Sequence, residues 1–259
     1  MNRITWRQIC SACLAALLLT ATANADPITG SGTWQDFPAT LNSDGSPYFD
    51  APSYDGSNAN IAYFLSGYSG AYDGSSPGVT PRWYGNATGQ AVTNFYFNAS
   101  QSPLTATLLL ENSASSLLNE FGWYDTSAPT VHHVIFAGSD SVGAVTQFTP
   151  STQYGYYLIS VLPETYYTQS SLNPSVETSH QHFAVFQQSA GDPTWVGVED
   201  LRLTATGIEL SGDYNDMAIQ ITGVPEPGTG FLAGAVLLAL GLGLRFLQSR
   251  RGARIGNLR

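Results

Sequence analysis

A short stretch of the chain carries five side chains whose oxygens could bind a metal ion. Glu199 and Asp200 come directly after an apolar run, and Asp213, Asn215 and Asp216 follow, all within eighteen residues. Hard cations such as calcium bind roughly six to eight oxygens, which carboxylates, amides and carbonyls supply. The pattern therefore predicts a calcium site. The alternative is a tight loop in which backbone N–H groups bind the same oxygens.

The spacing also predicts where two of these groups point. If Asp213–Ile221 is an extended strand, Asp213 and Asn215 share a face with Met217 and the isoleucines that follow it. That face is apolar and is expected to face the core, where a polar group without a partner is costly. A cation or a backbone N–H group would supply the partner. The stretch is not an EF-hand, because the third ligand position of such a loop falls on Met217.

Signals for catalysis are weaker. A glycosidase needs two carboxyl groups about 5 to 10 Å apart across a cleft, whereas the adjacent Glu199 and Asp200 would point to opposite faces of a strand. No Gly-x-Ser-x-Gly nucleophile elbow is present, and the chain has no lysine for a P-loop or a lysine-dependent mechanism. We therefore expect no enzymatic activity, with a secreted glycoside hydrolase as the least favoured hypothesis.

The histidines offer one further metal hypothesis. His180 and His182 form a His-x-His pair that would lie on one face of a strand. Zinc needs at least a third protein ligand, and His132 or His133 could supply it. The alternative is that these histidines are polar strand positions without a metal.

Aromatic residues are concentrated in the first part of the chain after residue 25, among glycine and serine. Exposed rings stack on the apolar faces of sugars, and neighbouring carboxylates accept hydrogen bonds from sugar hydroxyls. A carbohydrate-binding module for exopolysaccharide is therefore an alternative function, and packing in a core is the other explanation for the rings. The residues concerned are Tyr48, Tyr54, Tyr63, Tyr68, Tyr72, Trp83 and Tyr84.

The elements that would position these side chains are short strands. Runs of β-branched and aromatic residues alternate with Gly, Ser, Asn, Asp and Pro between Asp26 and Val224. We predict an all-β fold, a single antiparallel β-sandwich or jelly-roll-like domain. The predicted strands are Asn60–Leu65, Ala91–Phe97, Thr105–Glu111, Gly122–Asp125, Val131–Ala137, Val145–Phe148, Tyr154–Val161, His182–Gln187, Trp195–Val198 and Asp216–Thr222, and Ser113–Glu120 is expected to be a short helix or a loop.

The acidic charge of the chain argues against some classes of binding partner. Between Asp26 and Val224 the chain has 18 acidic residues and two arginines, Arg82 and Arg202, so this region carries a formal charge of −16. Binding to nucleic acid needs a basic patch, so we expect no nucleic-acid partner. Divalent cations would relieve the self-repulsion of such an acidic domain.

Residues 1–25 have the organisation of a secretory signal peptide. Two arginines precede a short apolar stretch, and Ala23 and Ala25 provide the small side chains that signal peptidase requires. Cleavage after Ala25 would remove both cysteines of the chain. The mature protein would then contain neither a disulfide nor a thiolate metal site.

Near the C-terminus, Phe231–Leu247 is an almost unbroken apolar run. As a helix, its seventeen residues would rise about 25 Å, near the short limit for crossing a hydrocarbon core of roughly 30 Å. Arginines on its C-terminal side would stay in the cytoplasm, and the acidic domain would face outward. We therefore predict one transmembrane helix that anchors a precursor in the membrane.

Three features of the C-terminus resemble, in order, the PEP-CTERM protein-sorting signal of Gram-negative bacteria. They are Pro225, Glu226 and Pro227, then the apolar run, then an arginine-rich tail with Arg250 and Arg251, and together they span residues 225–254. The resemblance implies processing by an exosortase, transient residence in the inner membrane, and a mature form at the cell surface or outside the cell. Proteins with this signal typically belong to biofilm-forming bacteria that produce exopolysaccharide. A plain tail anchor is the alternative.

A second resemblance covers roughly Glu120–Thr222. The runs that contain Glu199-Asp200 and Asn215-Asp216 are similar to the G-x-E-D and D-Y-N-D motifs of DUF4114-like domains, which often precede PEP-CTERM signals. This resemblance implies an extracellular β-rich domain with calcium as its candidate ligand and no established enzymatic activity. The favoured hypothesis is thus an exported, surface-sorted structural or interaction protein of the extracellular matrix or biofilm.

Overall fold

The protein is represented by a computed structural model, which describes residues 25–36, 61–67, 76–85, 94–113, 116–188, 193–203 and 214–224. All of these residues belong to one compact unit, Asn24–Val224. Several sequence predictions lie outside them, namely Asp213, Ala23, Pro225, Glu226, Pro227, Phe231–Leu247, Arg250 and Arg251. In the part of the chain that is described, no helix is both long and apolar enough to span a membrane.

The described residues form two antiparallel sheets and one short α-helix. In chain order the strands are β1 (Ile28–Gly30), β2 (Thr33–Asp36), β3 (Arg82–Gly85), β4 (Phe95–Asn98), β5 (Leu104–Glu111), β6 (Glu120–Asp125), β7 (His133–Ala137), β8 (Val145–Phe148), β9 (Gln153–Ile159), β10 (Thr165–Tyr167), β11 (Phe183–Gln187), β12 (Thr194–Val198) and β13 (Met217–Gly223). The helix, α1 (Ile61–Leu65), lies between β2 and β3 in the chain.

Each sheet has a distinct strand order. The first sheet runs β1-β4-β9-β6-β7, with β10 also paired along β9. The second runs β2-β3-β11-β12-β13-β5-β8. The predicted all-β sandwich of antiparallel strands is therefore confirmed.

The main core lies between the two sheets. The first sheet contributes aromatic rings such as Phe97, Phe121 and Tyr156, and the second contributes aliphatic side chains such as Val196 and Ile219. Tyr156 stacks on Phe121 with ring centroids 5.3 Å apart. Burial of apolar surface contributes about 25 cal/mol per Å². This layer is therefore a principal source of stability for a domain that has no cysteine after residue 13.

The helix α1 covers the outer face of the second sheet. The residues Ile61, Phe64 and Leu65 are fully buried in a second apolar cluster with Trp195. The predicted strand Asn60–Leu65 is therefore wrong. The physical reason is that three of its apolar residues follow the i, i+3, i+4 spacing of one helix face rather than strict alternation.

A β-bulge changes the direction of side chains at the end of β5. Leu104, Ala106 and Leu108 belong to the core between the sheets, whereas Leu110 belongs to the outer cluster under α1. The register between β5 and β13 shifts at this point, because a bulge inserts one extra residue into a strand. Beyond the shift, Glu111 is the Cα partner of Met217.

Nine of the ten predicted strands overlap a strand of the structure. For example, Val145–Phe148 is observed with the predicted bounds, and β5 begins one residue before its predicted start. Four strands, β1, β2, β3 and β10, were not indicated by the sequence. Each has only three or four residues, which is too short for an alternating pattern to stand out.

Candidate metal centre

Three of the predicted ligands converge at one point of the fold. One ligand oxygen each from Glu199, Asp200 and Asp216 lies within 4.8 Å of the others. The three residues are 0%, 2% and 8% exposed. Among the described residues, no other group of three His, Cys, Asp or Glu side chains is found to converge in this way. We call these three residues the acidic cluster.

The strand pairing explains why the acidic cluster forms. Glu199 and Asp200 directly follow β12, and Asp216 directly precedes β13. These two strands are antiparallel neighbours, with Gly197 paired to Ala218, so the end of one meets the start of the other.

The turn before β13 completes this arrangement. Tyr214 has a φ of 54°, in the left-handed region, and Asn215 then forms a parallel bridge with Val198. The predicted strand start at Asp216 is close to the observed one. The assumed extended conformation does not reach back to residue 214, because a left-handed residue interrupts the alternation of side chains.

Backbone N–H groups supply some of the partners of the acidic cluster. The amide of Asp200 donates to Oδ2 of Asp216 at 2.7 Å, and the amide of Tyr214 donates to Oε2 of Glu199 at 3.4 Å. Asn215 is also buried, at 5% exposure. The sequence left two alternatives, a calcium site and a loop in which backbone N–H groups bind the carboxylates. The structure has features of both, since the carboxylates converge and two of them accept backbone hydrogen bonds.

Asp200 also binds two side chains from a distant part of the chain. Its Oδ2 accepts hydrogen bonds from the hydroxyl of Ser113 and from Nδ2 of Asn119 at 2.8 Å. Both residues lie between β5 and β6, next to a 3₁₀ turn at Ser116–Leu118. They are more than eighty residues from Asp200, and the pairing of β5 with β13 brings this part of the chain close to it.

A fourth carboxyl group, that of Glu111, lies close to the acidic cluster. Burial, and next to it the negative charge of Asp200, raise the pKa of Glu111 to about 8. Its Oε1 is buried and has no hydrogen-bond partner among the described residues. The sequence did not indicate Glu111 as a site residue, because simple alternation along β5 would place it on the face opposite Leu108.

The two arginines of the acidic region form their ion pairs elsewhere. Arg82 pairs with Asp36 at 3.0 Å, and Arg202 pairs with Glu164. The negative charge of the acidic cluster is therefore not balanced by an ion pair with either of them. Since bringing buried carboxylates close together is costly, their convergence favours a bound cation.

The buried histidine His182 contacts the main chain of Glu199 in the acidic cluster. Nδ1 of His182 lies 3.1 Å from the carbonyl oxygen of Glu199, and the amide of Glu199 donates to the carbonyl oxygen of His182 at 3.0 Å. Nε2 of the same ring lies 3.3 Å from Oε2 of Glu177, and the ring stacks on Tyr166. These contacts fix the position of Glu199 through its main chain.

The histidines do not form the hypothesised zinc site in the described part of the chain. His180 and His182 precede β11 rather than lying on a strand, so that prediction is wrong. His132 stacks on Tyr157, and His133 stacks on Trp123. His180 and His182 both approach Oε2 of Glu177, at 3.9 Å and 3.3 Å. No metal-binding group of three such side chains that includes a histidine is found among the described residues.

The aromatic residues proposed as a sugar-binding surface are buried where the structure describes their side chains. Trp83 is 0% exposed and belongs to the cluster under α1, and Tyr84 belongs to the core between the sheets. Tyr48, Tyr54, Tyr68 and Tyr72 lie outside the described residues. Packing, rather than sugar stacking, accounts for the two rings.

Comparison with known proteins gives no relative: no protein-family model, curated protein or solved structure matches the chain. The chemical character of the site therefore follows from its own donors. All candidate ligand atoms are oxygens, which is the donor set of hard cations such as calcium, whereas zinc and copper sites usually include nitrogen or sulfur.

Proposed function

We propose that the protein is an exported, surface-sorted structural or interaction protein whose β-sandwich is stabilised by a bound calcium ion. The observation that carries the calcium part is the convergence of Glu199, Asp200 and Asp216 in a buried position. The ion would join the end of β12 to the start of β13, and its role would be structural.

Electrostatics support this role. Three buried carboxylates within 4.8 Å repel one another, and a low local dielectric strengthens that repulsion. The hydrogen bonds to Asp216 and Glu199 satisfy part of their acceptor capacity, but they bring no full positive charge. A divalent cation would supply that charge, and calcium fits an all-oxygen site better than zinc does.

The burial of the site argues for a non-enzymatic role. A glycosidase pair must flank a sugar in an open cleft. The carboxylates of the acidic cluster are at most 8% exposed, so a sugar chain cannot enter between them. The site is therefore suited to holding an ion rather than to processing a polymer.

The terminal segments support export. Signal peptidase would cleave after Ala25, and the apolar run Phe231–Leu247 would hold the precursor in the inner membrane. An exosortase would then process the chain near Pro225, Glu226 and Pro227, and the acidic domain would reach the cell surface or the extracellular matrix. Exopolysaccharide is the candidate partner there.

Calcium titration with thermal unfolding tests the proposed ion. At a free calcium concentration about 100-fold above Kd, the Tm of the purified protein is expected to rise by about 5 to 10 °C. Asp216→Asn should abolish most of this rise, because it removes one ligand charge while its side-chain oxygen can still accept the hydrogen bond from Asp200.

Asp140→Asn is the matched control. Asp140 is exposed and accepts a hydrogen bond from the amide of Ala137, far in sequence from the cluster, and an asparagine can accept the same bond. This variant should keep the full response to calcium. If millimolar calcium leaves the Tm of the unaltered protein unchanged, the proposed ion is refuted.

A further inference from the structure

We infer that Glu111 and Asn119 complete the cation site, so that the ion also binds the segment between β5 and β6. This inference rests on the proposed calcium site and adds three ligands that come from another part of the chain, Glu111, Asn119 and the hydroxyl of Ser113. The acidic cluster would then be one half of the site, and the other half would be the end of β5 and the loop that follows it.

The first observation is the side chain of Asn119. This residue is only 1% exposed, and its Nδ2 donates to Oδ2 of Asp200 at 2.8 Å. Its Oδ1 is buried and has no hydrogen-bond partner among the described residues. A buried acceptor without a hydrogen-bond partner is destabilising. Because Nδ2 of the same amide group contacts Asp200, we place this oxygen among the ligands of a cation at the acidic cluster.

The second observation is the position of Glu111. The bulge in the pairing of β5 with β13 makes Glu111 the partner of Met217, directly after Asp216. The amide of the next residue, Asn112, donates to the carbonyl oxygen of Asp216 at 2.8 Å. The end of β5 is therefore fixed against Asp216, and the buried Oε1 of Glu111 is a second acceptor without a partner among the described residues.

Two unpaired acceptors beside three carboxylates point to a cation rather than to a neutral ligand. The neighbouring Ser113 and Asn119 already direct their donors at Asp200. Neither Oε1 of Glu111 nor Oδ1 of Asn119 has a hydrogen-bond partner among the described residues. A cation satisfies several acceptors at once, whereas each N–H group satisfies one.

The completed site would have the coordination number of a calcium ion. Its side chains offer at least six oxygens, from four carboxylates, one amide and one hydroxyl, which matches the roughly six to eight oxygens of calcium sites. Magnesium usually retains several waters and is bound by one or two carboxylates. The site is therefore suited to calcium, or to a trivalent lanthanide used as a probe. The donors are Glu111, Ser113, Asn119, Glu199, Asp200 and Asp216.

The test is a binding measurement with the full-length chain, purified in a mild detergent because of its apolar C-terminal run. Terbium luminescence, sensitised by the neighbouring Tyr214, reports occupancy, and displacement by calcium gives the calcium Kd. Glu111→Gln and Asn119→Ala should each weaken calcium binding by about tenfold or more. Glu120→Gln is the matched control, since it makes the same change beside Asn119 at a carboxylate that accepts a hydrogen bond from Tyr157.

The outcomes separate this inference from the proposed function. Calcium binding that is weakened in both variants and unchanged in the control supports the inference. Equally tight calcium binding in the unaltered chain and in all three variants overturns the inference. The calcium site of the acidic cluster would then stand without Glu111 and Asn119, and ordered water would be the partner of their two acceptor oxygens. Absence of binding in the unaltered chain overturns both. If Glu111→Gln does not fold, Glu111→Asp replaces it, because a shortened ligand should also weaken binding.

Discussion

At the scale of single residues, Glu164 and Arg202 form one of the two arginine–carboxylate ion pairs among the described residues. Arg202 donates from two nitrogens of its guanidinium to the two carboxylate oxygens of Glu164, and the hydroxyl of Tyr166 donates to the same carboxylate at 2.9 Å. The hydrogen bond from Arg202 is the main cause that lowers the pKa of Glu164. The pair anchors the chain just beyond Asp200.

The stability contributed by this pair should depend on pH. The folded pKa of Glu164 lies below its unfolded value of about 4.5, so the contribution is present above that value and is lost as the pH falls through the folded pKa. Glu164→Gln should therefore lower the Tm at pH 7, by no more than about 3 °C because the pair is partly exposed.

Thermal unfolding of both proteins across a series of pH values checks this prediction. The difference in Tm between the unaltered protein and the variant should shrink as the solution becomes more acidic. A difference that stays constant down to the most acidic solution would show that the carboxylate charge is not the cause.

At the scale of elements, the helix α1 closes the outer layer of the second sheet. Phe64 is 0% exposed and packs in the cluster that includes Trp195. Gly197 allows this close approach, because a Cβ atom there would lie 2.9 Å from Cγ1 of Ile61 and 2.7 Å from the carbonyl oxygen of Tyr214. The helix and the turn before β13 thus pack against the same position of β12.

Phe64→Ala should destabilise the domain by about 3 to 5 kcal/mol, because it removes a fully buried aromatic side chain from the layer under α1. Denaturant unfolding measures the loss, and tryptophan fluorescence should shift to longer wavelength as Trp195 gains contact with water. Ser66→Ala, at an exposed position just after the helix, is the control. Equal stability of the two variants would show that α1 does not contribute to the fold.

The elements also explain which parts of the site were predictable. Glu199, Asp200 and Asp216 flank β12 and β13, which are adjacent in the chain and in the sheet. The local sequence pattern was therefore sufficient to predict them as candidate ligands. Glu111 and Asn119 lie near the acidic cluster because β5 pairs with β13 across a gap of about one hundred residues and because a bulge reverses its last side chains. Neither long-range pairing nor the position of a bulge is encoded in local alternation.

At the scale of the whole molecule, sequence patterns predict three segments with different destinations. The described residues all belong to the compact unit Asn24–Val224, which has a single predicted cleavage site at its start and the predicted sorting motif at its end. The β-rich class of this unit followed from its many short apolar runs. The helix over one sheet did not, because α1 lies within a segment that was interpreted as the strand Asn60–Leu65.

Replacement of Pro225, Glu226 and Pro227 by alanine should trap the protein in the inner membrane, since the exosortase would no longer recognise it. Cell fractionation and immunoblotting measure the distribution between membrane and medium. Replacement of Pro163 by alanine, outside the motif, is the control and should leave release unchanged. Release of the triple variant at the normal level would refute processing at this motif.

The distance along the chain between the two halves of the proposed cation site would have a thermodynamic consequence. Asn119 and Asp200 are 81 residues apart, so an ion held by both segments acts as a cross-link that closes a long loop. By the loop-entropy relation for disulfides, such a link raises stability by about 4 to 5 kcal/mol. Unlike a disulfide, it is insensitive to oxidants and thiols and is reversed by chelation. The exterior calcium level, rather than the redox state, would then decide how readily this cysteine-free domain unfolds.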